Sequence, residues 1–188
     1  MSKLIDKWVR ENRNFEKLLE IVERQLESFH RNERPDYELV LDIIYYMTHY
    51  PDQFHHPVED ILFKRVAERE RAAGNAVEEL FRQHCVIAES GKALQERLDA
   101  VVTGVMLPRA QVEQPARKYV EYFRNHMRNE ETVLFPLAQR LLNDADWAII
   151  DAQTPKRPDP LFGERVQERY RSLHGRIAAQ VHCDCPVA

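Results

Sequence analysis

Glycine is scarce in this chain, five in 188 residues, and no stretch carries a strand signal. With 44% hydrophobic and 31% charged residues, that scarcity excludes a disordered, low-complexity polymer and points to a folded protein rich in amphipathic helix. Long apolar runs are missing as well. The stretch "MSKLIDKWVREN" is charged every few residues, unlike a signal peptide or a membrane span, so a cytoplasmic location and no membrane partner are expected. There is no basic run, and Asp and Glu (31) outnumber Lys and Arg (27), which leaves no electrostatic case for nucleic acid. Cysteine is limited to three residues, two of them in the final "VHCDCPVA". That is not the even, spaced set of a secreted disulfide scaffold, and reduced thiols are expected. The length suffices for one core with a modest extension.

What is present is apolar residues at steps of three and four. Leu4, Trp8, Phe15, Leu18, Leu19, Val22, Leu26 and Phe29 predict a first helix ending near "HRNERP". Asp36 caps a second, with Leu39, Ile43, Ile44 and Met47 inward, and the prolines of "THYPDQFHHPVEDILF" bend it around Pro51 to Pro57. A third helix over 73–102 buries Val77, Leu80, Phe81, Ile87, Leu94, Leu98 and Val101 and stops at "TGVMLPRAQ"; a fourth spans 112–142. Short links make sequential helices antiparallel, so the expected fold is all-α: an up-down-up-down four-helix bundle over 1–143. A C-terminal helical extension fills 144–188, with a capped "NDADWAIIDA" helix, a proline-pinned "QTPKRPDPLFG" loop and a final "ERVQERYRSLHGRIAAQV" helix. That last helix either covers the bundle or joins two chains into a homodimer.

Histidine and glutamate recur one turn apart, as His55 and Glu59 in "HHPVEDILF" and as His126 and Glu130 in "HMRNEETVLF". In the second copy the Leu-Phe pair falls one residue later. One such pair alone is usually a solvated helix surface. These two share their faces with apolar residues: Val58, Leu62 and Val66 beside the first, and Tyr119, Tyr122, Phe123, Val133 and Leu134 beside the second. His84 lies on a third such stripe. Two ionised glutamates in a helical interior would each cost several kcal/mol unless paired, and no lysine or arginine falls on these stripes. A metal cation relieves that cost by accepting carboxylates and neutral imidazoles together. Histidine and carboxylate ligands on facing helices suit a di-iron centre. Without cysteines in the constellation a structural zinc site of the thiolate type is not expected, while a single metal, zinc or manganese stays open.

"YPDQFHHPVED" followed by "LF", the inward "QHC", "HMRNEETVLFP" and the tail phrase "DPLFG" resemble the hemerythrin-like HHE cation-binding family. The resemblance implies that His55, Glu59, His84, His126 and Glu130 hold iron, with the glutamates bridging, in a protein that binds or reacts with O2, peroxide or nitric oxide. Iron handling with iron-sulfur repair, peroxidase-type turnover, or a metal-poor structural bundle are the other roles it leaves open. One position departs: the family's first-helix histidine, in a phrase like Glu-His-x-Asn, is Asn12 in "ENRN". Asn12 is expected inward, as a weak ligand, a hydrogen-bond partner of metal-bound water, or a satisfied buried amide. Glu16, Tyr119 and Tyr122 are candidate substitute ligands. His56, paired with Asp60 on a face running through Ala67, is set aside in favour of His55. His30, about 27 Å from Asn12 at 1.5 Å per residue, belongs to no shared centre. His49 is expected in an exposed or capping role, His174 on the tail helix, the "HCDC" segment free, and Cys85 packed.

Overall fold

The computed structural model describes residues 3–28, 31, 33–155 and 157–180, and among these it is all-helical, without strands. Phe29, His30 and the "HCDC" segment lie outside the described residues. Helix α1 (Lys3–Ser28) buries Trp8, Phe15, Leu18, Leu19, Val22 and Leu26 on one face. Helix α2 (Tyr37–His49) starts where the Asp36 carboxylate accepts the Leu39 N–H at 3.1 Å. Pro51 then replaces the α-helical pattern with a π-turn, Pro51–His55, closed by the His56 N–H on the Pro51 carbonyl. Helix α3 (His56–Arg69) follows, with Pro57 in its first turn, where no N–H is required. Helix α4 (Gly74–Val102) ends before Gly104, whose φ of 97° only glycine adopts readily. Helix α5 (Ala110–Asn129) passes through a second π-turn, Glu130–Leu134, into α6 (Phe135–Leu141).

Helix α7 (Asp144–Gln153) opens on a capping box between Asn143 and Asp146, as its sequence predicts. The final helix does not begin at Glu164. A 3-10 turn at Glu168–Tyr170 leads into α8 (Arg171–Gln180), because the preceding loop is held open by Asp159, whose carboxylate accepts the Leu161 and Phe162 N–H groups and the Tyr46 hydroxyl. Helix α8 lies on α2 and buries Leu173 and Ile177 within its own chain.

Helix α1 packs on α2 and α5; α4 packs on α2, α3 and α5; α3 packs on α6 and α7. Two apolar clusters result. One gathers Phe15, Ile43, Met47, Ile87, Leu94 and Phe123; the other gathers Trp8, Leu62, Phe63, Leu80, Leu134 and Phe135. On every long helix the residues between the two clusters are polar: Glu11 and Asn12 between Trp8 and Phe15, His84 between Leu80 and Ile87, His126 and Glu130 between Phe123 and Leu134. Two expectations are overturned here. Val133 is 47% exposed rather than in the core, because the second π-turn carries it outward, and Cys85 is exposed, one step around α4 from the inward His84. No described helix is long and apolar enough to cross a membrane.

Candidate metal centre

The polar layer brings His55, Glu59, His84, His126 and Glu130 together, all buried. The turn-spaced pairs meet as their periodicity requires: His55 Nε2 lies 3.1 Å from Glu59 Oε1, and His126 Nε2 lies 3.1 Å from Glu130 Oε1. His84 Nε2 reaches in from α4, 3.7 Å from Glu130 Oε1 and 3.9 Å from Glu59 Oε2. None of these approaches is aligned as a hydrogen bond. Glu59 Oε1 and Oε2, Glu130 Oε1, His84 Nε2 and His126 Nε2 are all buried without a hydrogen-bond partner. Orphaned acceptors of this kind are rare in folded proteins and each leaves a desolvation penalty unrelieved. Their ligand atoms form two overlapping sets, His56, Glu59, His84 and His126 in one and His55, Glu59 and Glu130 in the other, each within 4.8 Å. The donor set therefore fits a metal cation, with Glu59 common to both sets.

His56 is the principal correction to the sequence reading. It is 3% exposed, not turned away from the core. A π-turn spreads five residues over a hydrogen-bonded turn, so each residue advances less around the axis than in an α-helix. Consecutive residues at its end, His55 and His56, both face inward. The His56 ring stacks on His84 at 4.4 Å between centroids and meets His126 edge-on at 5.3 Å.

The outer ring nitrogens are held by acceptors that the sequence reading missed. Glu11 Oε2 lies 2.8 Å from His55 Nδ1 and also binds the Tyr50 hydroxyl through Oε1; Asp60 lies 2.8 Å from His84 Nδ1 and Gln83 3.2 Å from His126 Nδ1. Such partners orient an imidazole so that its other nitrogen points at a metal. The signal for Glu11 was its place between Trp8 and Phe15, on a stripe that has no reason to hold a carboxylate.

Charge is tuned to the same end. Burial, reinforced by Glu130, pushes the Glu59 carboxyl up to about 8. Burial acts on Glu130 in the same direction, but the His126 and His84 imidazoles outweigh it and hold that carboxyl well below the usual range. Against their own burial, His55 is raised to about 10 by Glu59 and Glu11, and His84 to about 9 by Asp60, Glu130 and Glu59. Burial and then the neighbouring His84 and His126 depress His56 well below the ordinary histidine value.

The remaining candidates divide. Asn12 is buried; its amide N–H2 group donates to Glu131 Oε1 at 3.2 Å and Glu130 Oε2 at 3.5 Å, while its carbonyl oxygen is buried without a partner. Tyr119 is buried with an unpartnered hydroxyl. Glu16 does not join the centre, because it turns to Arg124 at 2.8 Å. Tyr122 is only half-buried, beside Glu79 and Arg82. His49 stacks on Tyr45 away from the cluster.

Among the described residues the protein is an all-helical fold around a buried histidine–carboxylate cluster of a kind that can hold a metal ion. The family model described as the hemerythrin HHE cation binding domain matches residues 3–138, most of the chain, and the protein belongs to that family. No curated protein matches it.

Proposed function

We propose that the protein is a cytoplasmic, non-haem iron protein whose centre, a di-iron pair, binds or reacts with O2, peroxide or nitric oxide. His55, Glu59, His84, His126 and Glu130 would hold the iron, Glu59 being common to the two sets of ligand atoms. Residues 1–143 would form the up-down-up-down four-helix bundle around it, and 144–188 the extension against it. The observation that carries the reading is the set of five buried ligand atoms without hydrogen-bond partners, which only a cation relieves all at once.

Iron would supply a coordination position for a small molecule and a change of oxidation state. The protein's part is orientation and access. Glu11, Asp60 and Gln83 fix the imidazoles from outside. Asn12 lies in the wall of a surface groove of about 520 Å³, shared with Arg13, Arg124, Arg128 and Glu131, and it lies against Glu130. A diatomic molecule entering there would pass the Asn12 amide, whose N–H2 group donates to Glu131 and Glu130. The test is elemental analysis and an optical spectrum of protein expressed with ample iron, before and after oxygen or azide. Stoichiometric iron with a ligand-to-metal band is expected; protein without stoichiometric transition metal refutes the reading. Steady consumption of peroxide or nitric oxide with added reductant, in place of saturation after one equivalent, would identify an enzyme over a carrier.

A further inference from the structure

The geometry points to His56 as a further metal ligand, which makes the centre unequal, with a nitrogen-rich position formed by His56, His84, His126 and Glu59 beside a nitrogen-poor one formed by His55, Glu59 and Glu130. This rests on the proposed metal centre and goes beyond the ligand set that the sequence supplied.

For His55, His84 and His126 the outer nitrogen Nδ1 faces a hydrogen-bonding acceptor on the periphery, Glu11, Asp60 and Gln83 in turn. His56 Nδ1 lies 3.2 Å from Asp52 Oδ1, which is itself buried without a hydrogen-bond partner. A histidine that only fills space in a core has no need of a carboxylate beside one nitrogen and two further imidazoles against its ring. His56 has both, stacked on His84 and edge-on to His126. Bringing imidazoles this close while leaving the His84 and His126 Nε2 atoms without hydrogen bonds is unfavourable unless something engages the two atoms together.

The dimensions agree. Ligand atoms on opposite sides of an ion, each at about 2.1 Å, lie about 4.2 Å apart. A four-residue set within 4.8 Å closes on an ion with small side-chain movements. The backbone device that makes the set is local: the π-turn at Pro51–His55, closed on the Pro51 carbonyl by the N–H of His56 itself. Without that turn, one of the two adjacent histidines would leave the axis.

The experiment uses the full chain, freed of metal and reloaded with cobalt(II). Proton NMR then counts hyperfine-shifted, exchangeable imidazole N–H signals, one for each bound histidine. Wild type is expected to give four, from His55, His56, His84 and His126, and His56→Gln three. The substitution should also weaken cobalt binding by about tenfold or more. His56→Asp, which restores a ligand atom but not a stacking ring, should recover part of that affinity; a packing role predicts no recovery. Three signals in wild type, or none lost in His56→Gln, would overturn the assignment of His56 while leaving the metal centre standing. A protein that takes up no cobalt or iron would overturn both. Should His56→Gln fail to fold, the wild-type signal count decides alone.

Discussion

Glu59 shows how one buried group carries both stability and metal affinity. Its carboxyl is fully buried and its pKa is raised by burial to about 8, above the 4.5 of an ordinary glutamate. The folded metal-free protein therefore holds this proton more tightly than the unfolded chain does, and it loses stability as pH rises from about 4.5 towards 8. Glu59→Gln removes the titration. Without metal the variant should melt above wild type at pH 7 to 8, with the advantage vanishing near pH 4.5; with metal the order should reverse, because the variant has lost a ligand. Melting curves of loaded and chelator-stripped protein across that range check both halves, and a glutamine that destabilises the stripped protein at pH 8 would contradict the buried-charge account. Glu11→Gln tests the layer outside. It keeps the shape but removes the charge facing His55 Nδ1, and metal affinity measured by chelator competition should fall about 10- to 100-fold.

At the scale of helices, much was legible. The α1, α2 and α4 stripes, the Asp36 cap and the bend near Pro51 follow from period and proline placement, and so does the meeting of His55 with Glu59 and His126 with Glu130. What escaped were the π-turns, since periodicity assumes one constant step around the axis. The clue was the Leu-Phe pair standing one residue later after Glu130 than after Glu59. Leu62, Phe63, Leu134 and Phe135 are nonetheless all buried, so the π-turn at Glu130–Leu134 absorbs the extra residue and pushes out Val133. The same limitation hid His56. Outer partners such as Asp60 and Gln83 were illegible for another reason, because each faces a histidine on a different stretch of chain. Helix α7 offers an independent test of local chemistry. Asn143→Ala removes the side-chain acceptor of the Asp146 N–H and should lower stability by about 1 kcal/mol in urea titration. Asp146→Ala should cost more, since it also abandons Arg69 at 2.9 Å.

The whole molecule is two apolar clusters separated by a charged, acceptor-rich layer, so the layer's state should control the cohesion of the fold. In the metal-free protein, His55 and His84, raised to about 10 and about 9 by neighbouring carboxylates, stay protonated at neutral pH and partly offset the acids. That contribution is fully present below the ordinary histidine pKa of about 6.5 and disappears as pH rises through 9 to 10. A metal replaces the protons, and at a free concentration a hundred times its Kd it adds about 2.7 kcal/mol of stability. Two linked outcomes follow from one exchange. Metal added to stripped protein in weak buffer at pH 7 should release protons, and the release should shrink as the starting pH approaches 10, where His55 and His84 have already lost theirs. Over the same interval the melting temperature of stripped protein should fall while that of loaded protein holds, so the gap between them widens. Proton release read by an indicator dye and paired melting curves measure the two independently; metal binding without proton release at pH 7 would mean that the buried imidazoles are already neutral and that the carboxylates stand in the core without cationic neighbours.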